Sequence, residues 1–513
     1  MPVIQQGQIN TTALIVPDIY VQIIPPSVYL LNGLPTNILG VVGSATWGPV
    51  NSPTIIGSMA MYAQLFGAIQ NRKYDMGTAV AAAVLQGANN FRCVRVTDGT
   101  DTAANTTVQA NCLTLTSKYT GSLGNSLQAI ISAGTQANTW KVTVTLPGVV
   151  PEVFDNLASG LSGNAVWVAI AAAINSGISG LRGPSQLIVA TAGAGTSAPS
   201  AATLSFSGGT DGATGVGANT LIGQDTVPRQ GMYCLRNTQT SIAMLADCDS
   251  STVWSTEIAF GLSEGIYMIM TGPAGDTIAN ATATKASAGI DSYAAKLLFG
   301  DWVYFNDTVN NVIRLISPQG YVAGLLANLS PQNSSLNKQL YGIVGTQKSY
   351  ANQTYSSAEL QSLGQAGIDI ITNPVPGGSY FGPRFGRNTS SNAVIHGDNY
   401  TRMTNYIAYT LNAGMGYYVG KLQSLTVQQQ ALATISTFLD NLWQQNMIGN
   451  SQGTLPYSAE IDAGNNPPSR VALGYMEADI SVQYLAVIEY FLINVQGGQS
   501  VQINRLNTQI AAI

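Results

Sequence analysis

Two hydrophobic periods follow one another along this chain, and no single layer of structure can carry both. From about residue 100 to 212, apolar and polar side chains alternate in short runs, at 108–116, 127–132, 140–146, 187–191 and 203–206, with Gly and Asn between them. Such alternation marks half-buried strands, and the punctuation marks tight turns. A helix is expected among them at 166–175. From about 218 to 372 the pattern changes: β-prone runs at 242–246, 265–270, 302–305 and 368–371 alternate with helical stretches at 252–263, 278–298 and 358–366. That order predicts a largely parallel, doubly wound sheet.

The flanks add three pieces. Residues 1–30 carry the β-prone Ile15, Val16, Ile19, Val21 and Ile23, while Pro17, Pro25 and Pro26 exclude a helix. Residues 37–42 read as a strand, 59–66 and 74–85 as helices, and 91–96 as a strand. Beyond 385, helices are expected at 401–412 and 425–447. In the second, Leu425, Leu432, Ile435, Leu439 and Leu442 would share a face, Thr426 and Gln429 would form a capping box, and Gly449 would stop it. Strands are expected at 471–483, 485–495 and 500–503. The fold class is therefore multidomain α+β and α/β. An extended arm (1–36) leads into an α/β segment (37–100) that packs with later domains. A β-sandwich (101–217), a doubly wound α/β domain (218–384) and an α+β C-terminal domain ending in a strand arm (385–513) follow.

Only 9% of the 513 residues are charged, against about 25% in ordinary soluble domains. A polar surface with few charges has little colloidal repulsion and suits a protein that touches copies of itself. The net charge of −5 and the absence of Lys/Arg runs argue against direct nucleic-acid binding. Residues 1–10 have neither a basic nor an apolar signal region, so no signal peptide is expected. The most apolar late stretch, 478–495, contains Asp479 and Glu489, so no stable membrane insertion is expected either. One histidine, His396, and four dispersed cysteines make a zinc site implausible, and no cofactor is expected. Cys93, Cys112, Cys234 and Cys248 read as buried thiols or as cross-links formed after release from a reducing cytosol.

Catalytic motifs fail on context. Gly449-Asn450-Ser451-Gln452-Gly453 matches the nucleophile elbow, but it follows a helix and His396 lies upstream. Gly193-Ala194-Gly195-Thr196-Ser197-Ala198 matches a dinucleotide fingerprint, but Pro199 and a β-run follow where a helix is needed. Residues 414–421 have the wrong glycine spacing for a phosphate loop. Asp247 and Asp249 supply half a cation site. No enzyme is expected.

Five glycine-rich stretches, taken in order, resemble the tail sheath family of contractile phages and related injection particles. They are 40–49 with 62–67, Lys118 to Asn125, Leu204 to Gly212, Ser317 to Gly324, and a C-terminal pattern over 432–449, Tyr457, Asp462, Asn465-Asn466 and 474–483. Thr120 replaces the family's usual proline, and Arg402 stands alone where arginines are often paired. The resemblance implies that the α/β domain is subtilisin-like in fold, without a triad. It also implies hexameric rings stacked as a helical sheath, in a virion tail assembled in the host cytoplasm. Its partners would be a tail tube, a baseplate and a tail terminator, and its contraction would drive the tube through an envelope. The sheath of a non-phage injection or secretion system is the alternative, with a non-contractile shell protein behind it.

An unpaired β-prone arm is most simply completed by strand addition to a neighbour. The residues expected to exchange are Ile15, Val16, Ile19, Val21, Ile23, Ile488, Tyr490, Leu492 and Val495. The polar, nearly uncharged face Gln428, Thr437, Asp440, Asn441 and Gln444 is the expected tube-facing surface.

Overall fold

A computed structural model describes residues 3–6, 20–23, 31–493 and 495 of the chain. It is a mixed α+β molecule built on several sheets, and its centre is a six-stranded sheet. The strands lie in the order Ala295–Leu298, Tyr267–Thr271, Ile242–Leu245, Leu39–Gly43, Phe91–Arg95 and Thr54–Ile56. All neighbours are parallel except the last pair. Parallel strands covered by helices on both faces must be apolar on both faces, and Leu39–Gly43 is buried at all five positions. Successive residues serve opposite cores. Val41, Cys93, Met244 and Ile269 face one. Val42, Val94, Leu245 and Met268 face the other.

The first core holds a seam of small residues. Helix Met76–Val84, rich in Ala, lies against helix Gln319–Asn328. A Cβ on Gly324 would sit 2.4 Å from the Ala83 Cα, so the glycine of the Ser317 to Gly324 motif is there to let two backbones meet. Gly324→Ala is expected to lower stability by about 1–3 kcal/mol, the usual cost of overpacking. Urea titration of the variant checks it.

The second core holds Glu257, on helix Trp254–Glu264, fully buried with neither carboxyl oxygen hydrogen-bonded among the described residues. Burial pushes its pKa up from 4.5 to about 8. Between these values the native state keeps a proton that the unfolded chain has lost. This group's effect is therefore to lower stability as pH rises from about 4.5 to about 8, with no further change above. Denaturation of Glu257→Gln across that range is expected to show the slope removed and the protein more stable at pH 8.

Residues 105–205 form two antiparallel sheets around one core. Four strands run in the order Glu152–Leu157, Trp140–Thr145, Gln128–Ala133, Ala202–Ser205; three run Ile188–Ala192, Leu113–Ser117, Asn105–Val108. Helix Asn164–Ser176 contributes Val166, Trp167, Ile170 and Ile174 to their shared interior. A further three-stranded sheet, Val312–Ile316, Val303–Asp307 and Ile343–Thr346, flanks the central one. The C-terminal part packs helices Asp398–Met415 and Leu425–Gln444 against a two-stranded hairpin, Tyr457–Glu460 with Asp479–Val482.

Several expectations need correction. The stretch 278–298 is not one helix: helix Ile278–Ser287 stops before Gly289, at φ +63°, and Ala295–Leu298 is an edge strand of the central sheet. Of 368–371, only Ile371 is strand, in the short strand Ile371–Thr372. The helix expected to 447 ends at Gln444, is capped by the Ser424 side chain rather than Thr426, and is followed by Asn446 at φ +55° rather than stopped by Gly449. Leu425 stands 70% exposed, off the buried face of Ala431, Ile435, Phe438, Leu439 and Leu442. Within 471–483 only Asp479–Val482 is strand, and the described part of 485–495 belongs to no sheet. The run 500–503 lies outside the described residues. Strands Glu152–Leu157, Val312–Ile316 and Ile343–Thr346 were not anticipated. No helix among the described residues is long and apolar enough to cross a membrane.

Candidate functional site

In doubly wound sheets, ligands bind beyond the carboxyl ends of the strands where the strand order reverses. Here that point lies between Leu39–Gly43 and Ile242–Leu245, and the chain fills it with its own groups. The carboxylate of Asp247 accepts the Ser317 N–H at 3.1 Å. The Gln319 amide donates to the Ile269 carbonyl at 2.8 Å. Asp75 caps helix Met76–Val84 through the Thr78 N–H and hydroxyl, at 2.8 and 2.7 Å. Burial raises its pKa to about 6 despite those bonds and Arg72. Lys73 pairs with Asp249, Arg72 with Asp211, and Arg314 with Asp307, at 2.9, 2.7 and 2.8 Å. Asp247 and Asp249 thus serve internal contacts.

The other motifs resolve as turns. Asn450 accepts the Gln452 and Thr454 N–H groups, making the Ser451 segment an Asn-stabilised loop. His396 faces Glu489 and Arg387 instead. The Gly193 and Gly195 N–H groups donate to the carbonyls of Cys112 and Asn111, so that segment folds back on its own sheet. Among the described residues no cluster of His, Cys, Asp and Glu could hold a metal. Cys93, Cys112, Cys234 and Cys248 are free and buried, and none is cross-linked. Burial pushes the Cys93 and Cys248 thiols up, and that of Cys234 to about 11.

Three of the five glycine-rich stretches meet at one joint between the central sheet and the antiparallel pair. Its hub is Arg95, fully buried at the end of strand Phe91–Arg95. Its guanidinium donates to the carbonyls of Gly48, Thr120 and Asp211 at 2.8, 2.7 and 3.1 Å. Asn125 and Gly209 exchange two bonds, 2.9 and 2.8 Å long. Gly121, at φ +131°, passes so close to the Thr46 carbonyl that a Cβ would lie 2.0 Å from it. A joint in which each stretch satisfies the others' backbone groups is stiff.

The open surfaces lie at the C-terminal end. Neither hairpin strand has a further strand beside it among the described residues, and two strands alone are marginal in water. Past the hairpin the chain continues without pairing and presents Ile488, Tyr490, Leu492 and Val495 at 77, 82, 86 and 85% exposure. Phe491 and Ile493, absent from the expected set, are equally bare; three apolar residues in succession were the available signal. Val21 and Ile23 belong to strand Tyr20–Ile23, which pairs in parallel with Val3–Gln6. Ile15, Val16 and Ile19 lie outside the described residues. On helix Leu425–Gln444, Asp440, Asn441 and Gln444 are exposed, whereas Gln428 and Thr437 are half-buried. Asp440 is not free: it accepts the Tyr457 hydroxyl at 2.7 Å.

No protein-family model and no curated protein matches the sequence. Solved structures do match the fold. The sheath tail protein from Listeria innocua aligns over 85% of this chain and 90% of its own, at 14% identity and a TM-score of 0.60. The sheath tail protein from Desulfitobacterium hafniense aligns over 86% and 93%, at 15% and 0.56. The PVC sheath of an extracellular contractile injection system, in its contracted state, aligns over 95% and 99%, at 12% and 0.55. Over most of its length this chain has the fold of these sheath proteins.

Proposed function

We propose that the chain is the structural, non-catalytic subunit of a contractile tail sheath. The observation that carries this reading is a two-stranded hairpin, open on both edges among the described residues, beside a bare apolar segment in a chain of sheath fold. Arms from neighbouring copies complete the hairpin's sheet by strand addition, linking hexameric rings into a mesh. The bodies, with their domains clamped around Arg95, move as rigid units while the arms bend. In this reading residues 37–100 and 218–384 build the subtilisin-like α/β domain, 101–217 the sandwich, and 385–513 the tube-side domain. A tail tube, baseplate and terminator are its partners, and the particle tail is its location. The exposed Asp440, Asn441 and Gln444 offer a tube-facing edge that can slide without breaking strong ion pairs.

Negative-stain electron microscopy of the purified chain tests the proposal. Hollow, striated tubes of constant diameter are expected; flat sheets or closed shells would point to a non-contractile surface protein. A second reading, the sheath of an injection particle without a genome, draws on the nearly full-length alignment with the PVC and anti-feeding prophage sheaths. Particles carrying this sheath decide between the two by the presence or absence of a DNA-filled head.

A further inference from the structure

The last continuous described stretch, 483–493, crosses the body like a strap. Its root is well held. Gln483 donates to the Pro456 carbonyl at 2.7 Å and accepts the Gly449 N–H at 3.1 Å. The Tyr484 hydroxyl lies 3.2 Å from that of Thr404, and its ring meets Tyr400 edge-on. Ala486 to Ile488 then span a cleft lined by Ser334, Asn399 and Met447. The far end is pinned by charge. Glu489 pairs with the Arg387 guanidinium, which also donates to the Tyr490 hydroxyl at 3.1 Å. Glu489 is the single charged residue between Asp479 and Arg505. His396 Nε2 lies 3.4 Å from its other oxygen. Immediately beyond, Phe491, Leu492 and Ile493 are 82, 86 and 69% exposed. Consecutive apolar residues suit a strand covered on both faces, and nothing among the described residues covers them.

We propose that the Arg387–Glu489 pair is the exit anchor of the C-terminal arm: residues through Tyr490 stay with their own subunit, and the chain from Phe491 onward is what a second copy of this chain receives. The proposal rests on the sheath reading above and moves the start of the exchanged strand from Leu485 to Phe491. Were the whole strap donated, Glu489 would be carried into a neighbour and Arg387, only 17% exposed at its side chain, would lose its acid partner. Leaving a desolvated charge unpaired is costly. The 23 residues 491–513 reach up to about 75 Å when extended, which is ample to span a neighbour. Burial and Arg387 lower the pKa of His396, so it is uncharged at pH 7 and Arg387 is the anchoring cation there.

The test compares the concentration at which tubes form, by sedimentation, for the full chain, Glu489→Gln, Arg387→Glu and the swap Arg387→Glu/Glu489→Arg. Glu489→Gln is expected to raise that concentration roughly ten-fold, and the swap to recover most of the loss. Glu489→Gln tubes at the wild-type concentration, or a swap no better than either single variant, would overturn the anchor while leaving the sheath reading intact. If a single variant also melts early, the swap decides. A wild-type chain that forms no tubes, even on a template tube, overturns the sheath reading and the anchor with it.

Discussion

A chain lacking residues 1–24 is expected to fold normally and not to polymerise. The body begins with Leu31, whose side chain packs against Gly414, and with Leu34, whose N–H donates to the Thr410 hydroxyl at 3.2 Å. Both contacts tie the chain to helix Asp398–Met415 and survive the truncation. What is lost is the β-prone segment that includes strand Tyr20–Ile23. A strand added to a neighbour's open edge makes several backbone hydrogen bonds, each worth about 1 kcal/mol net. Removing them costs about 5 kcal/mol per subunit, a thousandfold or more in association. The expected result is a monodisperse species with the wild-type melting temperature and no tubes by negative stain. Normal tubes from the truncated chain would show that the N-terminal arm is not the link. A truncation after Tyr490 should fail in the same way, because it leaves the exit anchor in place but donates nothing.

The elements legible in the sequence are those fixed locally. Helix Met59–Phe66 was readable to the residue because Ser58 caps it and Gly67, at φ +86°, stops it. Helix Met76–Val84 starts at the Asp75 cap. Strand Leu39–Gly43 is an unbroken apolar run, as a buried parallel strand must be. The elements misread are those decided by distant partners. Ala295–Leu298 follows an Ala-rich helix and has the composition to extend it; the free edge of Tyr267–Thr271 makes it a strand instead. Glu152–Leu157 carries Glu, Asp and Asn and a bulge between Phe154 and Leu157, so alternation failed to reveal it. The site divides the same way. Prolines and β-branched residues mark 1–30 as an expected arm, of which the described residues show only the parallel pair Val3–Gln6 and Tyr20–Ile23. Arg95, by contrast, sits among Phe91, Cys93 and Val94 as an ordinary polar alternate, and only the fold shows three glycine turns closing around it. Glu489 was legible merely as the charge that spoils a membrane span.

One buried charge cluster makes the central sheet and the C-terminal domain a single body, and breaking it should be the most destabilising point change in the chain. Lys296, on the edge strand Ala295–Leu298, is fully buried between Asp369, at 2.5 Å, and Asp398, at 3.1 Å, both also fully buried. Asp398 opens helix Asp398–Met415 and accepts the Tyr267 hydroxyl at 2.6 Å and the Ser335 hydroxyl. Asp369 accepts the N–H groups of Ile370, Phe385 and Gly386 at 2.8, 2.9 and 2.9 Å. Burial pushes the Lys296 ammonium down in pKa, but the two carboxylates more than restore it above its ordinary value. Burial likewise opposes the Asp398 charge, and Lys296, Ser335 and Tyr267 outweigh it, holding that carboxyl below its ordinary range. A network satisfied on every side is stable only while complete, because each ion was desolvated on the strength of the others. Lys296→Met leaves two buried carboxylates without a cation and is expected to cost on the order of 3–5 kcal/mol, lowering the melting temperature by roughly 3–6 °C. Asp398→Asn keeps the shape and the Tyr267 bond but removes half of the neutralising charge, and should cost less. The depressed Asp398 pKa gives the sign in pH: its contribution is present above the unfolded carboxyl's pKa and is lost as pH falls through the lower, folded value. The deficit of Lys296→Met relative to the wild type should therefore be largest near neutral pH and shrink as pH falls through that value. If Lys296→Met melts within a degree of wild type, the sheet and the C-terminal part are held together by apolar packing alone, and the rigid body that the sheath proposal requires needs another source of stiffness.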